Sequence, residues 1–273
     1  MIDQSSSVTF IYIVEIAGIT LNVVATWSKS ISSHSLSVSI ENPKDDRNHH
    51  TVKIDLSGWS FWGKKGLKTL EADGTRIDVY WDFRQAKFSN VPEPSSGFYV
   101  ALVSQDVVVL TIGDLVNEAM KRTRKRPSAR EAALVCKKEH VYGKRVFYTR
   151  TAFDGTGRRE HEVVIETSLS GPEEPEMWIT VDGVAAMRVM NLNWRFRGNE
   201  VVTVKEGVAV EIYWDIHDWL FGSCGSSCGL FVFKQKLVSE GRSLSFNGGV
   251  DENEGGEDSL SEYCYVLYAV RVD

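Results

Sequence analysis

The sequence is short of cysteine, of proline and of excess positive charge, and each shortage excludes a class of protein. Four cysteines in 273 residues are too few and too scattered for a disulfide framework. Six prolines argue against a long disordered arm. The formal net charge of -6 weighs against a general nucleic-acid binder, which needs a basic face, so nucleic acid is not an expected partner.

The sequence also lacks a recognisable targeting signal and a convincing membrane span. Residues 1–7 are acidic and polar, without the basic start of a secretory signal. Residues 8–27 are apolar, but Glu15 and Asn22 interrupt them and a central Ala17-Gly18 pair favours two strands around a turn. A spanning helix would need about 20 predominantly apolar residues. We therefore expect no membrane span and a cytoplasmic and/or nuclear protein that is not secreted, with free thiols.

Aromatic and β-branched residues are plentiful, and they recur in short alternating segments. Eight Trp, nine Tyr and twelve Phe can fill substantial cores. Leu36–Glu41 alternates apolar and polar residues, which is typical of a strand with one buried face. The segments 67–72 and 75–83 flank Asp73-Gly74, a strong tight-turn signal, and predict a hairpin. Many short strands without helical periodicity between them indicate a sandwich or barrel rather than βαβ units.

A Tyr-Trp-Asp segment occurs twice. Residues 77–88 contain Tyr80-Trp81-Asp82, and residues 210–221, displaced by 133 positions, contain Tyr213-Trp214-Asp215. Other matches keep the same order, such as Gly97-Phe98-Tyr99-Val100 with Gly229-Leu230-Phe231-Val232, and such conserved order indicates an internal duplication. At 273 residues the chain is comfortable for two cores.

We therefore predict an all-β fold of two tandem, similar antiparallel units, each a β-sandwich or partly closed barrel, joined by a short helix. The predicted boundaries are 8–112 for the first repeat, 113–137 for a helical basic connector and 138–273 for the second repeat. A pair of pleckstrin-homology-like units is an alternative, since strands followed by a helix fit residues 8–122. The second copy has no evident terminal helix, which counts against that alternative.

Three local predictions complete the outline. Asp114–Arg122 should form a helix in which Asp114 caps the free amides and Leu115, Val116, Ala119 and Met120 share one face. The segment 142–145 should be the turn of a hairpin, and 42–48 should be a loop. Tyr263–Val272 should be the last strand.

A basic run follows the predicted helix, with six Lys or Arg among residues 121–130. It could bind an anionic partner or an unknown protein, or serve as a nuclear address, whereas a solvated connector is the plain alternative. Ser128 follows basic residues in a pattern that suits a basophilic kinase, so it is a candidate phosphosite that would add about -1.5 to -2 of charge. The predicted partner-binding patch comprises Lys121, Arg122, Arg124, Lys125 and Arg126.

No constellation in the sequence predicts catalysis, a metal or a cofactor. Asp82 and Asp215 could act as paired carboxylates, but their occurrence once per repeat favours a structural role in accepting backbone hydrogen bonds. Cys224 and Cys228 lack a second Cys or His pair, so zinc spacing is not met. No phosphate loop and no nucleophile elbow is present in the sequence.

Several motifs resemble a plant family called "domain of unknown function 868". They include Ser-Gly-Phe-Tyr-Val-Ala-Leu-Val at 96–103, Lys-Glu-His-Val-Tyr-Gly-Lys at 138–144, Pro-Glu-Met-Trp-Ile-Thr-Val-Asp-Gly at 175–183 and Trp-Arg-Phe-Arg-Gly-Asn-Glu at 194–200. The resemblance runs from about Ser6 to Val272. It implies a land-plant protein without an assigned activity and supplies no catalytic or binding residues to transfer.

Three functions stay open at this point. The leading one is a non-catalytic intracellular binding or scaffold protein that uses the basic run. The second is a carrier of a small ligand or lipid enclosed by the aromatic-rich units. The third is a carbohydrate-active enzyme that uses Asp82 or Asp215, which requires those carboxylates to face a cleft.

Overall fold

The computed structural model describes residues 6–31, 33–56, 63–72, 74–157, 159–169, 174–222, 227–236 and 263–272. Within these ranges the chain is mostly β-strand, as the sequence predicted, with two short helices and one 3-10 turn at Lys205–Gly207. The strands are β1 (Ser6–Ile16), β2 (Ile19–Lys29), β3 (His34–Asn42), β4 (Asp45–Asp55), β5 (Lys65–Ala72), β6 (Thr75–Asp82), β7 (Tyr99–Ser104), β8 (Val107–Gly113), β9 (Arg126–Pro127), β10 (Ala133–Gly143), β11 (Val146–Thr151), β12 (His161–Ser168), β13 (Glu176–Val181), β14 (Val184–Val189), β15 (Arg197–Thr203), β16 (Ala209–Asp215), β17 (Cys228–Lys236) and β18 (Cys264–Arg271). The helices are α1 (Val116–Thr123) and α2 (His217–Phe221).

The described strands form three open sheets, none of which closes into a barrel. The largest has nine strands in the order β15-β16-β17-β18-β10-β1-β2-β3-β4. A four-stranded sheet has the order β11-β12-β13-β14, and a five-stranded sheet has the order β5-β6-β7-β8-β9. Most strands that are consecutive in the chain and lie in the same sheet pair antiparallel, whereas β8 pairs in parallel with β9. Strand β10 pairs in parallel with β18 and antiparallel with β1. Strand β10 therefore joins strands from the two ends of the chain into one sheet.

Both smaller sheets pack on the same face of the nine-stranded sheet. Val8 on β1 lies opposite Glu139 on β10, which lies opposite Leu267 on β18, so all three side chains share a face. Val8 belongs to a core formed with the five-stranded sheet, and Leu267 to a second core formed with the four-stranded sheet. Among the described residues, the other face of the nine-stranded sheet consequently has no second sheet over it.

The predicted turn at Ala17-Gly18 is confirmed, and it settles the nature of residues 8–27. Ala17 and Gly18 have φ values of 55° and 78°, the left-handed conformation of a tight hairpin turn between β1 and β2. The apolar residues alternate, so Val8, Val14 and Ile16 enter the core. No helix within the described ranges is long and apolar enough to cross a membrane.

Two local predictions need correction, and two others are confirmed. The predicted loop at 42–48 is shorter, because β3 ends at Asn42 and β4 begins at Asp45. No hairpin turns at 142–145, because the chain there passes from β10 in the nine-stranded sheet to β11 in the four-stranded sheet. The predicted strand at 263–272 is confirmed as β18, and the hairpin of β5 and β6 is present, although Asp73 in its turn lies outside the described residues.

The predicted helix exists, but Asp114 does not cap it. Helix α1 begins at Val116, and Leu115 precedes it without a side-chain capping bond. The Asp114 carboxylate instead accepts the backbone N–H groups of Gly97 and Phe98, at 2.8 and 3.1 Å. Ala119 is fully buried as expected, whereas Val116 is 43% exposed and lies off the buried face. The buried face of α1 is thus narrower than the sequence pattern indicated.

Candidate functional site

Five basic residues, which we call the basic cluster, surround the C-terminal end of α1. They are Lys121, Arg122, Arg124, Lys125 and Arg126. Helix α1 packs on the outer face of the five-stranded sheet through Ala119, which contacts a small apolar cluster that includes Tyr99 and Val108. Arg124 ends the helix in the left-handed conformation, with φ 56°, and its N–H donates to the Met120 carbonyl at 2.9 Å. This reversal brings Arg126-Pro127 alongside β8 as strand β9.

The cations of this cluster differ in their pairing. The Lys125 ammonium forms an ion pair with Asp106, which lies in the turn between β7 and β8 and has φ 65°. The other four side chains are exposed, and none of them forms an ion pair with a carboxylate of the described residues. Four cations thus share a small area of the surface of a protein whose net charge is -6.

Two open depressions flank the basic cluster. The first, about 570 Å³, is lined by polar groups that include Arg76, Asp78, Ser104 and Lys125. The second, about 410 Å³, lies between α1, β8 and the start of β10, and we call it the Ser128 groove. Its lining is largely apolar, with Tyr12, Leu110, Val116, Met120, Ala132 and Leu134, and its polar members include Ser128, Arg130 and Glu131.

The Ser128 groove exists because the pairing between β8 and β9 is short. Only Val107 and Val108 of β8 pair with β9. The Ser128 N–H then donates to the Val108 carbonyl at 2.9 Å, after which the chain leaves β8. The Ser128 hydroxyl accepts the N–H of Arg130 at 3.3 Å, and Arg130 forms an ion pair with Glu15 on β1. Residues 128–132, between β9 and β10, are not helical.

The phenol of Tyr12 lies in the wall of this groove on the β1 side. Burial raises its pKa to about 12, so Tyr12 stays neutral at physiological pH. A neutral hydroxyl beside apolar side chains can donate a hydrogen bond without adding charge. The groove therefore combines apolar side chains with a neutral hydroxyl, and two of its lining residues, Met120 and Pro127, adjoin the basic cluster in the chain.

Asp82 and Asp215 are the last residues of β6 and β16, and their carboxylates accept matching hydrogen bonds. The Asp82 carboxylate accepts the backbone N–H of Arg84 at 3.1 Å, and Asp215 accepts that of His217, also at 3.1 Å. A cation engages each second oxygen: Arg84 at 2.7 Å from Asp82, and Arg197 at 2.7 Å from Asp215. Asp82 lies in the five-stranded sheet and Asp215 in the nine-stranded sheet.

The charge state of Asp82 follows from these bonds. Burial raises its pKa, but the hydrogen bonds from the Arg84 guanidinium and amide, with the charges of Arg84 and Lys65, outweigh burial and lower it overall. A carboxylate held ionised by a local guanidinium and a turn amide is a structural anchor, which is the role the sequence favoured. The arrangement argues against a general acid at Asp82.

The two tryptophans between these residues also make matching bonds. The indole N–H of Trp81 donates to the Gly63 carbonyl at 2.8 Å, and that of Trp214 donates to the Arg195 carbonyl at 2.9 Å. Each ring lies over a glycine directly opposite it on the neighbouring strand, Gly66 for Trp81 and Gly198 for Trp214. Sequence reasoning missed both glycines, because strand register brings each one opposite its tryptophan and no motif contains both residues of a pair.

A comparison with protein families tests whether the chain belongs to the family that its motifs resemble. The model of a family described as "Plant protein of unknown function (DUF868)" matches residues 3–271, nearly the whole chain. The chain belongs to the DUF868 family. No curated protein and no solved structure matches it.

His161 and Asp182 form a pair that resembles a catalytic dyad, but in the DUF868 chain this pair stabilises a turn. The ring of His161 is buried, stacks on Phe153 with centroids 5.0 Å apart, and lies 2.8 Å from the Asp182 carboxylate. Asp182 has φ 52° in the turn between β13 and β14, and it also accepts the Glu162 N–H at 3.0 Å. The hydrogen bond with His161 is the main cause that lowers the pKa of Asp182. Sequence reasoning missed this pair, because 21 residues separate its members and no motif contains both.

The cysteines of the DUF868 chain are spread over its second half. Cys224 lies outside the described residues, so the structure does not describe where it lies relative to Cys228. Across the ranges that the structure describes, no three metal-ligating side chains converge. Cys136 and Cys264 are neighbours on β10 and β18, and no local pattern predicted that pairing.

Proposed function

We propose that this DUF868 protein is a non-catalytic binding protein that captures an anionic partner through the basic cluster. The observation that supports it is that Lys121, Arg122, Arg124 and Arg126 are exposed and form no ion pair with described carboxylates. Their chain neighbours Met120 and Pro127 line the Ser128 groove. Guanidinium groups bind carboxylates and phosphates in a two-pronged geometry, and the groove can bury apolar atoms beside the charge. We place this action in the cytoplasm and/or nucleus, as the sequence predicted.

A duplicated architecture fits this proposal. We propose that residues 8–112 and 138–273 are copies of one β module and that 113–137 is the basic connector between them. The Trp81–Gly66 and Trp214–Gly198 contacts support it, as do the two carboxylate anchors. Strands β5–β8 and β15–β18 also each run as four consecutive neighbours. Under this proposal the two modules form the scaffold, and the connector between them carries the partner-binding site.

A charge-matched comparison tests the binding site. The cluster variant carries Lys121→Ala, Arg122→Ala, Arg124→Ala and Arg126→Ala, and the control carries Lys53→Ala, Lys68→Ala, Lys144→Ala and Arg145→Ala. All eight positions are exposed, so both variants should fold. Binding is titrated at several salt concentrations against vesicles that contain anionic lipid and against an acidic peptide.

The cluster variant should bind at least about tenfold more weakly to whichever probe the natural protein binds, because each cation near an anionic surface contributes about 1 kcal/mol. The control variant should bind as the natural protein does. The affinity of the natural protein should fall with salt, since exposed charges are screened. Equal binding by the two variants, or no saturable binding to either probe, would contradict the proposal.

Ser128 gives this site a proposed regulatory residue. A phosphate there adds about -1.5 to -2 of charge beside Arg126 and Arg130, which would offset part of the positive charge of these two residues. Ser128→Glu should therefore weaken binding to the anionic probe, while Ser128→Ala should not. A Ser128→Glu protein that binds as tightly as Ser128→Ala would remove the residue from the proposal.

Neither alternative function gains a specific observation from the geometry. A carrier needs an enclosed space, whereas the sheets are open and both depressions near the connector open to solvent. A carbohydrate-active enzyme needs free carboxylates across a cleft, whereas Asp82 and Asp215 are engaged locally by cations and amides in different sheets.

A further inference from the structure

Two cysteines that are distant in sequence lie side by side in the nine-stranded sheet. Cys136 on β10 is directly opposite Cys264 on β18, its parallel neighbour. Both side chains point to the face of the sheet that has no second described sheet over it. Cys136 is 7% exposed, whereas Cys264 is half-buried and can be reached by a small reagent.

The two thiols differ in acidity, because their surroundings differ. The interaction with Cys136, directly opposite on β10, is the main cause that lowers the pKa of Cys264 to about 6. Burial opposes this shift, and the charges of Lys234 and Lys138 add to it. Lys234 lies directly opposite Cys264 on β17, and Ile11 on β1 closes the other side beside Cys136. The interaction with Cys264 and burial raise the pKa of Cys136.

The spacing of the strands permits a bond between the two sulfurs but strains it. Neighbouring strands are about 4.8 Å apart, which falls within the Cα separations of about 4.4 to 6.8 Å found in disulfides. The two Cβ atoms of a disulfide are closer, about 3.8 Å apart, so the side chains must lean together. Strained disulfides are reduced more readily than structural ones and are typical of regulation.

We propose that Cys136 and Cys264 form a reversible redox site, oxidised to a disulfide by a low-molecular-weight disulfide and reduced again by thiols. The Cys264 thiolate attacks one sulfur of the oxidant, whose S–S bond breaks and releases one thiolate. The Cys136 thiol then loses its proton to water and attacks the Cys264 sulfur, which releases the second thiolate. Two protein thiols lose two electrons and two protons, and the oxidant is reduced to two thiols.

The bond would change how the halves of the large sheet are connected. It ties β10, the strand that pairs with β1, to β18 near the end of the chain, and it closes a loop that contains all of β11 to β17. Covalent closure of so long a loop restricts the unfolded chain. The site lies on different elements from the basic cluster, so its existence does not depend on the proposed function.

The test uses oxidised and reduced glutathione in defined ratios, followed by acid quenching, alkylation and mass spectrometry of peptides. The protein with Cys224→Ser and Cys228→Ser retains only the two cysteines in question. We expect it to lose both free thiols reversibly and to yield a peptide that links 136 to 264. Adding Cys136→Ala should stop the reaction at a glutathione adduct on Cys264.

A rate measurement separates this site from an ordinary surface thiol. In the Cys136→Ala protein, alkylation of Cys264 at neutral pH should slow on the order of tenfold, because the interaction with Cys136 that favours the Cys264 thiolate is lost. Cys228→Ser should leave that rate unchanged. The proposal is overturned if both thiols stay free in fully oxidised glutathione, if the disulfides found join only separate protein molecules, or if Cys136→Ala leaves the rate unaltered.

Discussion

At the scale of single residues, Trp81 and Trp214 show how one side chain can fix the register of two strands. A Cβ atom at Gly66 would lie 2.3 Å from Cζ2 of Trp81, and one at Gly198 would lie 2.4 Å from Cζ2 of Trp214. Each indole is also held by its N–H bond to a carbonyl three residues before that glycine. The glycines are therefore needed for space, and neither of them has a positive φ.

This contact predicts that Gly198→Ala destabilises the protein by about 1–3 kcal/mol, because the added methyl overpacks a ring that cannot move without losing its hydrogen bond. Gly66→Ala should cost a similar amount. Both values come from chemical unfolding of the purified variants.

A double-mutant cycle gives the control for this prediction. Trp214→Phe removes Cζ2, so Gly198→Ala should cost less in that background than in the natural protein. Additive effects of Gly198→Ala and Trp214→Phe would show that the ring is not what excludes the methyl. Gly198→Ala with Trp81→Phe should be additive, because the two sites lie in different sheets.

At the scale of elements, Asp114 ties the chain before α1 to the start of β7. The two amides that it accepts, Gly97 and Phe98, precede β7, so this one carboxylate fixes where the helix leaves the sheet. The Gly97 hydrogen bond is the largest cause that lowers the pKa of Asp114, and the Phe98 amide adds to it against the effect of burial.

We predict that Asp114→Ala lowers the free energy of unfolding at neutral pH by about 1 kcal/mol, a low value because the carboxylate is exposed to solvent. A carboxyl whose folded pKa is depressed stabilises above its unfolded pKa of about 3.9, and the effect is lost as pH falls through the folded pKa. The difference between the natural protein and Asp114→Ala should therefore shrink below about pH 4.

Asp114→Asn is the matched control, since it keeps an oxygen acceptor without a charge. It should lose less stability than Asp114→Ala at neutral pH. A stability difference between the natural protein and Asp114→Ala that stays constant from neutral to acidic pH would exclude the carboxylate as its source.

The elements also show which parts of the fold the sequence could predict. Hairpins such as β1–β2 and β11–β12 were predictable because their turn residues are local. The pairing of β10 with β1 and β18 was not, because Cys136 meets residues 11 and 264 without any local signal. The position of the basic cluster beside a groove was hidden for the same reason, since β9 covers only part of β8.

Helix α2 is a second feature that the sequence could not predict. It interrupts the repeated segment, yet its counterpart after Asp82 is not helical. In α2, Trp219 is buried, stacks on Phe147 with centroids 5.1 Å apart and donates its N–H to the Ala269 carbonyl at 3.1 Å. Tertiary packing of one side chain therefore decides the local structure, and local composition does not reveal it.

At the scale of the whole molecule, the two cores meet at a polar pair on β10. The Lys137 ammonium lies 5.9 Å from the ring centroid of Phe10, beside the first core, and 5.6 Å from that of Tyr265, in the second. Glu139 lies 3.6 Å from Lys137 and accepts the Tyr265 hydroxyl at 2.8 Å. The polar groups at this junction are thus paired with each other, and the nine-stranded sheet continues through the junction.

Because β10 forms hydrogen-bond ladders with strands of both cores, we predict that the described sheets unfold in one cooperative transition. Ile40→Ala in the first core and Ile212→Ala in the second delete equally buried side chains, and each should cost about 2–5 kcal/mol. Each substitution should shift the same single midpoint, whether followed by tryptophan fluorescence or by circular dichroism. Val201→Ala, at a position 48% exposed on β15, should change stability by less than about 0.5 kcal/mol. If instead Ile40→Ala and Ile212→Ala moved two separate transitions, β10 would be a linker between independent domains, and a disulfide at Cys136 would then stabilise only the second of them.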